Sequence, residues 1–479
     1  MAEKLTPRQR LAIPPVPMRE QDPGERRRNI REVPFGYSAE EAMLEASRCL
    51  LCRNKPCIDG CPVAVDIPGF IELVSLGLFN QAAELIRKTN CLPAVCGRVC
   101  PQEEQCQAVC TVAKSHKDPA MSVQIGKLER FVADWDREHP VEGAVASDVT
   151  PTGRKVAIIG SGPGGLTAAG DLADAGHEVT VFEALHRTGG VLVYGIPEFR
   201  LPKDIVEFEV DGLVRRGVRI VTNVAIGKSK SIDDLFAEGY DAVFIATGAG
   251  LPWFKNIPGE DSLGVYSANE YLTRANLMDA YRFGDGSDTP IMRGRTVVTF
   301  GGGNVAMDAA RTALRLGADE SIIVYRRSLA EMPARLEEIH HAQEEGVRFE
   351  LLQDAVEVVA DDAGWVTGVR CQKMALGEPD RSGRPRPVPI EGSEFVMPCS
   401  VVICAIGNGA NPILTEATPA IETGRWGNIV ADPVTGRTSM KGVWAGGDIV
   451  RGGATVILAM GDGRRAAASI NEYLQTGVW

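Results

Sequence analysis

Two segments of this chain repeat a pattern that few folds accommodate: a short apolar strand, a glycine turn, a helix and a second strand. The first, KVAIIGSGPGGLTAAGDLADAGHEVTVFEAL, sets Gly160, Gly162 and Gly165 in GxGxxG order. The first glycine permits a tight turn, the second lets backbone approach a pyrophosphate, and the third lets helix pack on strand. The helix then offers its free amides to phosphate. Glu183, at the end of the second strand, is placed to accept hydrogen bonds from a ribose.

The second segment, RTVVTFGGGNVAMDAARTALRLGADESIIVYRRS, carries Gly301, Gly303 and Ala306 as GxGxxA. Where the first copy has an acid it has Arg326, followed by Arg327. A carboxylate there repels a 2′-phosphate, whereas a guanidinium grips it in a fork. Charge-assisted bonds of roughly 1.5 to 3 kcal/mol correspond to about a ten- to hundredfold preference for NADPH over NADH. Opposite ribose readers imply a division of labour, FAD in the first unit and NADPH in the second.

The tail TSMKGVWAGGDIVRGGATVILAMGDGRRAA places a strand, a turn ending at Asp448, and a helix from about Ala454. It resembles the C-terminal FAD motif of flavoproteins with two dinucleotide folds, in which the aspartate meets the ribityl and pyrophosphate region. That resemblance implies an FAD-binding domain split into residues 150–285 and 400–479, with the NADPH-binding domain, 286–399, inserted. Residues 243–250 and 401–409 are then the strands where the chain leaves and re-enters.

At 479 residues the chain exceeds what one hydrophobic core organises, so several domains are expected. A net charge of −12 argues against nucleic acid and a membrane surface as partners. No run approaches the roughly 20 apolar residues of a membrane span, and the charged, proline-rich start lacks a signal peptide's apolar core. The expectation is a cytoplasmic protein with reduced thiols.

Twelve cysteines are present, and Cys49, Cys52, Cys57, Cys61, Cys91, Cys96, Cys100, Cys106 and Cys110 crowd one segment. A reducing compartment disfavours disulfides. Zinc takes closed sets of four ligands, typically from two CxxC-like pairs, and only Cys49 and Cys52 form a CxxC. Cys61 and Cys100 each precede proline, as in the ferredoxin CP ending. Two 4Fe-4S clusters are therefore expected. Spacing alone does not distribute their ligands, because nine candidate thiols exceed the eight that two clusters need. Around them, Ser38 with Glu41 forms a capping box, and residues 67–90 and 123–139 have helical periodicity. Residues 1–149 thus read as an α-helical iron-sulfur domain with an extended arm over the first 30 residues. Residues 139–153 read as a linker, and two α/β Rossmann-like domains follow.

CxxCxxxxCxxxCP, CGRVCPQEEQCQAVC, IGKLERF, GGVLVYGIPEFRLPK, YRR and AGGDIVRGG, in this order, resemble the small (beta) subunit of NADPH-dependent glutamate synthase. They are similar as well to the large subunit of NADH-dependent ferredoxin:NADP oxidoreductase of the sulfide dehydrogenase type, and the N-terminal half of dihydropyrimidine dehydrogenase shares the plan. The resemblance implies that one cluster takes Cys49, Cys52, Cys57 and Cys110. The other takes Cys61, Cys100, Cys106 and Glu129, with Cys96 the substitute if Glu129 faces solvent; otherwise Cys91 and Cys96 are buried small side chains. It also lays Gly190 along the flavin.

Electrons would pass from NADPH through FAD and two clusters to a partner in a hetero-oligomer. That partner is either a larger glutamate synthase subunit or, in an electron-bifurcating complex, a small ferredoxin-reducing flavoprotein. Hydride transfer needs no side-chain acid or base, so no catalytic residue is assigned. Cys371, Cys399 and Cys404 form no CxxC, unlike the redox pair of thioredoxin reductases. His340 and His341 diverge on a helix and read as a solvated face, as does the Arg26, Arg27 and Arg28 run.

Overall fold

In the computed structural model, which describes residues 5–140, 149–282, 287, 289–380 and 383–479, each glycine segment starts from the middle of a five-stranded parallel sheet. The first sheet runs Val443–Ala445, Ala242–Ile245, Lys155–Ile159, Glu178–Phe182, Arg219–Val221. The second runs Arg348–Leu351, Glu320–Tyr325, Thr296–Phe300, Val401–Cys404, Val265–Ser267. Both faces are covered, by helices on one face of the second sheet and by an antiparallel layer on its other, which is why the central strands are continuous apolar runs. In both sheets the glycine strand sits where strand order reverses, the position at which open α/β sheets leave a crevice for ligand.

Two strands differ from the sequence assignment. Val265–Ser267 and Val401–Cys404, allotted to the FAD-binding unit, hydrogen-bond into the second sheet. The chain crosses between sheets where Leu251–Pro252 pairs antiparallel with Asn408–Gly409, next to the 243–250 stretch and within the 401–409 stretch expected to carry the crossing. A short apolar strand has the same pattern on either side of a crossover; only its long-range partner decides. Residues 353–398 add an antiparallel layer, Gln353–Ala360, Val366–Pro379, Pro385–Pro389 and Phe395–Pro398.

The N-terminal unit is helical. Its capping box is formed: the Glu41 amide donates to Ser38 Oγ at 3.2 Å and the Ser38 amide donates to Glu41 Oε2 at 2.7 Å. The stretch 67–90 is two helices, Ile67–Ser75 and Phe79–Arg87, parted at Gly77 with φ +74°. Pro93–Val99 and Ile125–Glu138 pack backbone to backbone: a Cβ on Gly97 would stand 2.4 Å from Arg130 N.

The described part of the N-terminal arm, residues 5–30, is docked, not extended. Arg19–Glu20 pairs with Pro34–Gly36, and Arg26, 1% exposed, pairs with Glu20, Glu344 and Glu345 at 3.2, 2.6 and 3.1 Å. His341 is buried too, its Nε2 3.0 Å from Glu20, while His340 stays exposed. These corrections share a cause: the carboxylates that bury Arg26 lie on a distant helix, Leu336–Glu344, and just beyond it. Residues 141–148, the centre of the expected linker, lie outside the described residues, as does the expected boundary at 285–286. Among described residues no helix is long and apolar enough to cross a membrane.

Candidate functional site

The first glycine turn meets each demand its sequence placed on it. Gly160 has φ +103°, and a Cβ there would lie 2.4 Å from Ala246 O. A Cβ on Gly165 would lie 2.0 Å from Gly160 O, so helix Pro163–Asp174 rests directly on the turn. Gly162, the helix N-cap, instead faces open space, with nothing within 4 Å of an added Cβ. The Glu183 carboxylate accepts from the Ser161 and Leu185 amides, each at 2.9 Å, and from Ser161 Oγ. Protein donors hold it in place while lone pairs remain for ribose hydroxyls.

Gly190, φ +56°, closes on this turn; its Cβ would lie 2.9 Å from Gly162 Cα. The C-terminal helix Val456–Thr476, capped by Thr455, touches the first one through Gly463, whose Cβ would lie 2.3 Å from Gly164 O. The first helix's N-terminus thus lies against the second turn of the C-terminal helix. Asp448 accepts from Ala454 N at 3.2 Å, and burial pushes its carboxyl up to about 6. Burial, then the Asp448 and Glu183 carboxylates, push the Tyr194 hydroxyl up to about 12. Tyr194 carried no sequence signal.

The second turn repeats this geometry. Gly301 has φ +135° with Ala405 O 2.2 Å from its Cβ position, Gly303 caps helix Asn304–Arg315 and faces open space, and Ala306 is buried. The two arginines part company. Arg326 is exposed at the strand end, whereas Arg327 is buried, its Nε donating to Pro385 O at 2.8 Å and its guanidinium pairing with Asp380 at 2.7 Å. Arg327 thus holds the antiparallel layer through these two contacts.

The cysteines fall into two sets. Cys49, Cys52, Cys57 and Cys110 line one cavity walled by Leu50, Ile67, Ile71, Val123 and Ile125. Burial pushes the Cys49 thiol up to about 11 and Cys57 up to about 12, and neighbouring thiols of the set add to this. Cys61, Cys100, Cys106 and Glu129 form the other set, in which burial again raises the Cys61 and Cys106 thiols and the Glu129 carboxylate adds to it. Buried thiols of this kind become ligands only when a metal offsets the cost of ionising them.

Glu129 is buried, not solvent-facing. Burial pushes its carboxyl up to about 8 although Asn90 donates to it at 2.7 Å. A buried carboxylate with a neutral amide as its hydrogen-bond partner suits metal ligation. Cys96 is buried beside Cys100, 3.4 Å from Met460 Sδ, so the alternative ligand occupies the same place; Cys91 is half-buried against Thr167. Among described residues no three cysteine sulfurs lie within 4.8 Å of one another. The cavity lined by four thiols is a donor set that fits a 4Fe-4S group. The trio that does meet 4.8 Å, Glu20, Glu337 and His341, has each carboxylate paired to a guanidinium, Arg26 and Arg335, both at 3.2 Å. Cys371, Cys399 and Cys404 are buried in the second sheet's core.

Fold and site together define a two-nucleotide-fold oxidoreductase joined to a cysteine-rich module. Residues 26–141 match the family described as dihydropyrimidine dehydrogenase domain II, 4Fe-4S cluster, and residues 154–463 match pyridine nucleotide-disulphide oxidoreductase. The glutamate synthase [NADPH] small chain of Escherichia coli K12 is 37% identical over 95% of this chain and 97% of its own length. The NADP(+)-dependent formate dehydrogenase subunit beta of Moorella thermoacetica is 41% identical over 88% of this chain, which spans 60% of that subunit. FprA of Mycobacterium tuberculosis, solved with NADPH, shares the fold at a TM-score of 0.56 and 21% identity, covering 68% of this chain and 85% of FprA. The chain belongs to the pyridine nucleotide-disulphide oxidoreductases, in the group that carries a 4Fe-4S domain ahead of them and includes the glutamate synthase small chains.

Proposed function

We propose that this chain is the electron-input subunit of a hetero-oligomeric, cytoplasmic NADPH-dependent enzyme; the relative named glutamate synthase [NADPH] small chain supports this reading. The carrying observation is the grouping of eight donors, five buried and three half-buried, beside two glycine turns whose second strands end in an acid and in an arginine. When bound, FAD takes up a hydride from NADPH and iron-sulfur clusters carry electrons singly.

The chain's own residues bind and orient. Gly162 and Gly303 leave room for pyrophosphates at two helix N-termini. Glu183 holds the ribose of FAD, Asp448 its ribityl and pyrophosphate region, and Gly190 lies along it. Arg326 meets the 2′-phosphate of NADPH, with Arg327 a brace behind it. Cys49, Cys52, Cys57 and Cys110 hold one cluster; Cys61, Cys100, Cys106 and Glu129 hold the other. The FAD unit is taken as residues 150–250 and 410–479, and the NADPH unit as the stretch between, following the crossing pair.

Anaerobic mixing tests this reading. NADPH should bleach the bound flavin's absorbance at concentrations at least about tenfold below those of NADH, and a second, larger chain should co-purify. No bleaching by either coenzyme would refute it; a co-purifying small flavoprotein that reduces ferredoxin would transfer the chain to the bifurcating type.

A further inference from the structure

We propose that Arg335 is a positioning residue that ties the second glycine turn to the Cys100–Cys106 loop, so that nucleotide at the turn alters the environment of the second cysteine set. The proposal rests on the reading of that turn as the NADP(H) site and of that set as a cluster site.

The tie begins in backbone. Ala334 N donates to Gly302 O at 3.1 Å and Arg335 N donates to Asn304 Oδ1 at 2.9 Å. Gly302 and Asn304 flank Gly303, the residue whose open side would face a pyrophosphate, so a phosphate seated there touches the groups that hold Arg335. The side chain then leaves the nucleotide unit. Its Nε donates to Glu103 Oε1 at 3.1 Å, one terminal nitrogen to Gln102 Oε1 at 3.2 Å, and the other to Arg98 O at 3.3 Å. Three acceptors flanking Cys100 thus hang on one guanidinium, itself only 8% exposed.

The far end is equally stiff. Gln102 Nε2 donates to Cys96 O at 3.1 Å. A Cβ on Gly126 would stand 2.2 Å from that nitrogen, so Gln102 is wedged against the first turn of the helix carrying Glu129. A shift of Arg335 therefore bears on the Cys100 loop and, through Gln102, on the helix that carries Glu129. Interdomain cement is present elsewhere, Arg200 with Asp308 at 2.8 Å among it. Arg335 differs in that its own backbone is bonded to the glycine turn. Such a connection is reciprocal, acting on the cysteine set from the nucleotide and on the nucleotide from the cysteine set.

The test uses the anaerobic full-length protein and 2′-phospho-ADP-ribose, which has the pyrophosphate and 2′-phosphate of NADP but accepts no hydride. EPR spectra of the chemically reduced protein are recorded with and without it, alongside iron content. The second cluster's signal should shift on binding in the wild type, the shift should vanish in Arg335→Ala, and Arg335→Lys should restore part of it through Glu103. Glu103→Gln, which leaves the other two acceptors in place, should reduce the shift if Arg335→Ala fails to retain iron. A full shift in Arg335→Ala or in Glu103→Gln would overturn the proposal. So would a wild-type spectrum that ignores the probe while flavin absorbance reports its binding. No binding at all would overturn both the proposal and the reading of the turn.

Discussion

Gly162 and Gly165 belong to one turn and answer opposite demands. At Gly165 a methyl group collides with Gly160 O; at Gly162 it meets nothing. Gly165→Ala should cost about 1–3 kcal/mol as an overpacked contact. Gly162→Ala, at φ −69°, should melt within about 0.5 kcal/mol of the wild type yet retain far less flavin. Thermal melts beside flavin absorbance separate the two, and a flavin-replete Gly162→Ala protein would mean the opening is not a ligand cradle. The arginine pair divides similarly. Arg326→Glu should raise the NADPH KM at least about tenfold with little change for NADH, whereas Arg327→Ala should affect both coenzymes alike; steady-state kinetics with each decides. For Glu129, truncation to alanine should change one cluster's EPR signal and spare the other. An unchanged spectrum would assign the fourth ligand to Cys96.

The elements show where local sequence suffices. Strand, glycine turn, helix and reader lie within one continuous stretch, so GxGxxG and GxGxxA could be read directly, and so could the Ser38 capping box. The ionic joint between the N-terminal arm and the second nucleotide unit could not, since Arg26 and Glu345 lie 319 residues apart. Nothing near Arg26 distinguishes a buried guanidinium from a solvated one. Sheet membership of Val265–Ser267 and the pairing of Arg327 with Asp380 were hidden for the same reason. In that joint, burial raises the Glu345 carboxyl, and Arg311 and Arg315 more than offset this, holding it well below its usual 4.5. A depressed acid stabilises above its unfolded pKa and loses that contribution as pH falls through the folded one. Glu345→Gln should therefore cost about 3 kcal/mol near pH 7. The melting difference from wild type should narrow as pH drops from about 5 towards 3; a constant difference would mean the carboxylate's charge is not what the joint uses.

Across the whole molecule, the cysteine module leans on the helix that also faces the first nucleotide turn. Cys96 touches Met460, and a Cβ on Gly461 would lie 3.0 Å from the carbonyl of Pro62, next to Cys61. Arg464 of the same helix donates to Thr89 O at 2.7 Å. One helix thus touches both the first glycine turn and the second cysteine set, an arrangement that would suit the proposed electron transfer between them. The central claim, that pairs of electrons arriving by the nucleotide units leave singly through two clusters, is tested most directly by chemical iron analysis of anaerobically prepared, metal-replete protein. About eight irons per chain, with two distinguishable reduced-cluster signals, are expected from two 4Fe-4S groups; about four irons or fewer would contradict it.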